Sequence, residues 1–140
     1  MSKAYKVVAR KIVMGQNQGK IMYNARPVSY GLLTTDDVAK QISAESTATP
    51  GDVKAVLDRY AYYVTENLKK GYNVELLGFG TISLRFSTKG CVATKEEVSA
   101  SIVKSISPAF HPAYNVVNGK RIYKLTPEKI ALVKYEESQE

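Results

Sequence analysis

Cysteine and histidine are nearly missing from this sequence, and acidic residues are missing from its first 26 positions. With Cys91 the one cysteine in 140 residues, no intramolecular disulfide is available and a reducing compartment is expected. The one histidine, His111, lies between Phe110 and Pro112. A His-based triad would have no evident orienting partner and a metal site would run short of ligands, so no catalytic residue, no metal and no cofactor is expected. Phosphate-loop and dinucleotide fingerprints are absent too. "STKG" at 87–90 lacks the preceding glycine, and "GFG" at 78–80 lacks a third glycine and runs into strand-like residues instead of a helix. No apolar run approaches the length of a membrane-spanning helix. The basic amino end, "MSKAYKVVARKIVMG", is broken by Lys6, Arg10 and Lys11, which leaves no apolar core for a signal peptide. A cytoplasmic, non-enzymatic protein with no membrane association and no small-molecule substrate is the expectation.

The missing acids give the chain its charge pattern. Twenty Lys plus Arg stand against 13 Asp plus Glu, a formal net charge of +7. An excess of this size favours a polyanionic partner, or else serves solubility alone. It is unevenly placed. Residues 1–26 hold six basic and no acidic residues, residues 27–75 hold five against seven, and residues 76–140 hold nine against six. The middle is therefore the part least suited to meet a polyanion. A chain of 15.4 kDa with 44% hydrophobic residues is in the range of a single compact unit.

Local patterns divide that unit into three. In residues 1–30 two β-rich runs flank "GQNQG", a strand pair by turn chemistry, with Tyr5, Val7 and Ala9 alternating against Lys6, Val8 and Arg10. "LLTTDDVAKQISAES" opens a short helix: Thr34 or Thr35 caps it, Asp36 and Asp37 fill its first turn, and Val38, Ala39 and Ile42 form an apolar stripe. A longer helix follows, with Thr49 as N-cap, Pro50 at the first position, Asp52 three residues after the cap, Lys69 and Lys70 near the end and Gly71 as terminator. Its stripe of Val53, Val56, Leu57, Tyr60, Ala61, Val64 and Leu68 is too long for the short helix to cover, so it must meet the following sheet or a second subunit. Tyr60, Tyr62 and Tyr63 suit either a core or a platform for stacked bases. After Gly71, the stretch "NVELLGFGTISLRF" alternates as two strands joined at Gly78, Phe79 and Gly80, the glycines allowing a tight corner or a close backbone approach.

In order and spacing, residues 34–90 resemble the bacterial histone-like HU and integration host factor family: a short helix, a longer helix ending in Lys-Gly, then a strand running into "GFGT". With its basic amino-terminal hairpin, the chain is more similar to the HU-related proteins of the Bacteroidetes type. The resemblance implies an α+β fold with a helix pair, a three-stranded antiparallel sheet with an extended arm, and a short third helix. It divides one domain, 1–140, into the hairpin at 1–30, an HU-like core and arm at 34–118, and a strand and tail at 119–140. It also implies an intertwined homodimer whose core holds Val56, Leu57, Tyr60, Val64, Leu68 and Phe79, with Gly78 and Gly80 as the structural turn and two β-arms in the minor groove of double-stranded DNA. "SPAFHPAYNVVNG" looks like the strand end and short third helix of that family, "RIYKL" like one further strand, and Thr126, Pro127 and Glu128 like the start of a helical turn.

One departure bears on function. The arm of the family carries an Arg-Asn-Pro tip; here the corresponding region has Glu96 and Glu97 and no proline before Pro108. Val92, Val98 or Ile102 would have to serve as any apolar wedge. Arg85, Lys89, Lys95, Lys104, Lys120 and Arg121 are the expected DNA contacts. Arg85 and Lys89 lead them because they stand on the strand that enters the arm. Two functions of different class follow: a nucleoid-associated architectural protein that binds DNA through phosphates and groove shape, or an HU-fold assembly module with weak or no DNA binding, its basic hairpin covering a sheet edge or a partner.

Overall fold

The computed structural model describes residues 2–136. The single compact unit expected from length is divided in two: residues up to Leu33 join those from Glu128 onward, and Thr34–Pro127 form the second unit.

In the first unit, β1 (Ser2–Lys11) and β2 (Ile21–Pro27) make the expected antiparallel hairpin. Gly15 and Gly19 both have positive φ, at 90° and 82°, inside the turn that joins them. The Gly19 N–H closes that turn on the Ile12 carbonyl at 2.8 Å. The third strand, Ala131–Lys134, runs parallel to β1 on its other side, pairing Ser2 with Ala131 and Tyr5 with Lys134. Local pattern does not announce this pairing, because a parallel partner lies across a long connection. Of the tail expected at the carboxyl end of 119–140, residues 137–140 lie outside the described residues.

The second unit opens with α1 (Thr35–Ala44) and α2 (Pro50–Lys69), and each begins with the same device. Thr34 accepts from the Asp37 N–H while the Asp37 carboxylate accepts from the Thr34 N–H at 2.9 Å; Thr49 and Asp52 repeat this, the return bond being 3.1 Å. Two orphan amides are satisfied at each end. The Thr34 and Thr49 hydroxyls, which donate to the same carboxylates at 2.7 and 2.6 Å, and after them these backbone N–H groups, favour the ionised form and hold both carboxyls below the ordinary carboxylate range. Because the folded-state pKa is lowered, the stability supplied is complete above the unfolded pKa and is lost as pH falls through the folded one. Helical ellipticity should therefore hold from neutrality to about pH 5 and decline below about pH 4. An Asp37→Asn, Asp52→Asn double variant should show a flatter acid limb; an unchanged limb would remove the capping explanation.

Helix α2 ends as its sequence requires. Gly71 takes φ 92°, its N–H bonds the Leu68 carbonyl at 3.0 Å, and the Tyr72 N–H reaches back to Asn67 at 3.1 Å. Lys54 ties the helices together, 2.8 Å from Asp58 on its own helix and 3.8 Å from Asp36 on α1. Ala39 and Val53 are buried between them.

Strands β3 (Val74–Leu76), β4 (Gly80–Thr88) and β5 (Val103–Pro112) form the expected three-stranded antiparallel sheet with β4 central. Tyr60 joins helix to sheet by donating its hydroxyl to the Glu75 carbonyl at 2.9 Å. Residues 108–119, where the short third helix is expected, form no helix, and residues 126–128 form no helical turn. The segment forms a hairpin of β6 (Tyr114–Val117) and β7 (Lys120–Tyr123) instead, which takes in the strand expected at "RIYKL". Its cause is local: Asn118 at φ 50° and Gly119 at φ 73° form the two-residue turn that suits strand twist.

Candidate nucleic-acid interface

The "GFG" corner turns on Gly78, as expected, but with Leu77 as its second central residue in place of Gly80. Leu77 at φ 49° and Gly78 at φ 77° occupy its centre, and the Phe79 N–H closes it on the Leu76 carbonyl at 2.8 Å. Gly80 is not a turn residue. It is the buried first residue of β4, pressed against the His111 carbonyl and the Phe110 ring on β5. The Phe79 carbonyl accepts from the Ala113 N–H at 2.7 Å, which binds the base of β4 and β5 together.

From this base β4 and β5 run out as a ribbon with two unlike faces. Ile82 opposite Phe110, Leu84 opposite Pro108 and Phe86 opposite Ile106 make one face; Thr81 opposite His111, Ser83 opposite Ala109, Arg85 opposite Ser107 and Ser87 opposite Ser105 make the other. On the polar face the Ser83 hydroxyl lies 3.1 Å from His111 Nε2, so the histidine is engaged with a neighbouring strand. Among the described residues, no group of three or more His, Cys, Asp or Glu is placed to hold a metal ion.

The residues expected to meet DNA fall into three places. Arg85 is exposed on the polar face, and Lys89 follows the end of β4, its N–H bonded to the Ile102 carbonyl at 2.8 Å. Lys104 is the residue skipped where the register passes from Ser87 opposite Ser105 to Thr88 opposite Val103. A bulge of this kind re-aims a side chain near the end of a ladder. Arg85, Lys89 and Lys104 therefore share the ribbon. Lys95 lies at the tip, in a short 3-10 turn with Glu96 and Glu97, and Thr94 donates its hydroxyl to Glu97 at 3.0 Å. Lys120 and Arg121 are on the β6–β7 hairpin, apart from the ribbon; as neighbours in one strand they point to opposite sides. Sequence reasoning did not foresee the setting of Arg121, whose guanidinium carbon lies 4.6 Å from the Tyr114 ring centre, beside the edge-to-face Tyr114–Tyr123 pair.

The expected dimer-core residues lie on surfaces that the unit leaves partly open. Val56 is 68% exposed and Phe79 45%, whereas Leu57, Tyr60, Val64 and Leu68 are half-buried. Ile42, Ala48, Val53, Val56 and Leu57 line a groove of 320 Å³ with Asp52 at its rim, and Leu68, Tyr72, Leu84 and Phe86 line another of 200 Å³ near the end of α2. No helix among the described residues is long and apolar enough to cross a membrane.

A capped helix pair feeding an antiparallel ribbon makes this unit α+β, an arrangement compatible with an HU-like fold. The particular family follows: residues 1–125 match the model of the HU domain fused to wHTH, Ig or glycine-rich motif, and the chain belongs to that HU-related family. No curated protein matches the chain.

Proposed function

We propose that the protein is an architectural, largely sequence-nonspecific DNA-binding protein of the nucleoid, acting as an intertwined homodimer and without catalytic activity. The observation that carries this reading is the charge of the segment that builds the ribbon and the hairpin beside it. Between Glu75 and Glu128 the carboxylates are Glu96 and Glu97, set against Arg85, Lys89, Lys95, Lys104, Lys120, Arg121 and Lys124. Exposed cations along a two-stranded ribbon suit phosphate contacts, which position a protein on DNA without selecting sequence. The open apolar residues of α2 and Phe79 supply the surface that a second copy would cover.

Titration with linear, nicked and pre-bent duplexes at several salt concentrations, with solution mass measured alongside, tests this. Affinity should fall steeply with salt and vary little with sequence. Arg85→Gln and Lys89→Gln should each lower the salt slope by about one for every phosphate left without its cation. The two glutamates at the tip, with no proline, favour the assembly module as the second reading. A dimer that fails to bind any duplex at low salt would establish that alternative.

A further inference from the structure

The amino-terminal sheet carries a charge arrangement for which the ribbon has no use. On β1 and β2, Lys6 stands directly opposite Arg26, and Val8 opposite Asn24. Strand alternation puts Lys6, Arg10 and Arg26 on one face with Val8, Asn24 and Met22. Lys3, Lys11 and Lys134 belong to the other face, with Tyr5, Val7, Ile21, Tyr23 and Leu132.

Like charges directly opposed across an antiparallel pair destabilise it. Nothing on either strand offsets them, since neither contains an acidic residue. The ion pairs among the described residues belong to Lys54 and Lys69, so Lys6, Arg10 and Arg26, all exposed, have no carboxylate of a described residue within 4.0 Å. Arg10, Asn24 and Arg26, with Val8 and Ala9, line a pocket of 470 Å³. Lys6 and Arg10 are four residues apart on one strand, roughly 13 Å. Measured along the duplex axis, one DNA strand carries about four phosphates over such a span. A bridging polyanion turns the repulsion into attraction, and guanidinium groups bind phosphate in a forked geometry. An anionic membrane fits less well, because the apolar aromatic side chains of this sheet, Tyr5 and Tyr23, are on the opposite face.

We propose that the face bearing Lys6, Arg10, Asn24 and Arg26 is a second phosphate-contact surface for duplex DNA, in addition to the β4–β5 ribbon. The inference rests on the DNA-binding function proposed above, and the test separates the two. In the full chain, a Lys6→Gln, Arg10→Gln, Arg26→Gln variant is compared with a Lys3→Gln, Lys11→Gln, Lys134→Gln variant that loses the same charge from the opposite face. The first should weaken duplex binding roughly 100-fold at 0.1 M salt and lower the salt slope by about three per protomer; the second should stay near the parent. Equal losses in the two variants would overturn the assignment, as would an unchanged slope in the first. If the parent protein binds no duplex at low salt, the proposed function fails and this surface with it. Vesicles rich in anionic lipid that bind as tightly as duplex, and lose as much in the first variant, would overturn DNA as the occupant. Lys6→Glu guards against misfolding: it sets a carboxylate opposite Arg26, so the melting temperature should rise while DNA affinity falls, whereas simple damage lowers both.

Discussion

Gly80→Ala is expected to cost roughly 3 kcal/mol, near the upper end for overpacking a closed site, and to lower the melting transition of the helix-and-ribbon unit by about 15 °C. The cause is space and not backbone conformation. A Cβ at Gly80 would collide with the His111 carbonyl oxygen and lie 2.7 Å from Cε2 and 2.8 Å from Cζ of Phe110. The carbonyl is main chain and cannot swing aside, because Thr81 and His111 are paired in the ladder. Relief would require β4 and β5 to part at their base, where the 2.7 Å bond from Ala113 to Phe79 holds them. Both the ribbon and the placement of Phe79 depend on that junction. Gly51→Ala is the matched control: its Cβ would meet just one foreign atom, Thr49 Oγ1 at 3.8 Å, on a helix where alanine is favoured over glycine. That variant should melt at or slightly above the parent. Similar melting temperatures for the two variants would remove the close-approach account of Gly80.

The contrast between Gly78 and Gly80 shows what the sequence could and could not say. Two glycines around Phe79 are readable as a corner or as a close approach, and both are present, one at each glycine. Which does which depends on register, and register depends on where Leu76 meets Gly80 across the hairpin. The helix limits were legible because the caps are local chemistry: Thr34 with Asp37, Thr49 with Asp52 and Gly71 act within a few residues of themselves. The sheet faces were legible for the same reason, since alternation has a period of two.

The hairpin at 114–123 and the strand at 131–134 depart from expectation for different reasons. For the expected third helix, the signal stood in the chain: Asn118-Gly119 between "YNVV" and "KRIY" is a strong short-range mark of a hairpin. Turn chemistry prevails there over the resemblance to the end of the HU fold. The strand at 131–134 had no such local mark. Its pairing with residues 2–5 joins the two ends of the chain, and with it the division into two units. Of the candidate DNA-binding residues, Arg85 and Lys89 follow from strand position. The placing of Lys104 at a bulge and of Arg121 over Tyr114 depends on pairings made far along the chain.

Val56→Glu is expected to abolish the proposed dimer and with it most DNA affinity, and it tests that dimer directly. Val56 is 68% exposed on α2 and lines the 320 Å³ groove with Val53 and Leu57. If that surface faced water, glutamate would be nearly neutral: an exposed helix position tolerates such a change within about 0.5 kcal/mol, and glutamate is the better helix former. If a second copy covers it, the same carboxylate is buried without a partner. Its desolvation costs about 3–5 kcal/mol at each copy, enough to raise the dimer dissociation constant by at least about 100-fold. Light scattering across a concentration series should therefore find the parent at twice the chain mass and the variant at the chain mass, with Val56→Leu remaining dimeric. Circular dichroism should show α2 intact in all three. Each separated protomer keeps its own cations but is no longer linked to a second ribbon, which lowers overall affinity by about 10²–10⁴ when two binding surfaces cease to act together. A parent protein that is monomeric, or a glutamate variant of unchanged mass, would refute the shared core, and Phe79 and the α2 stripe would then need another cover.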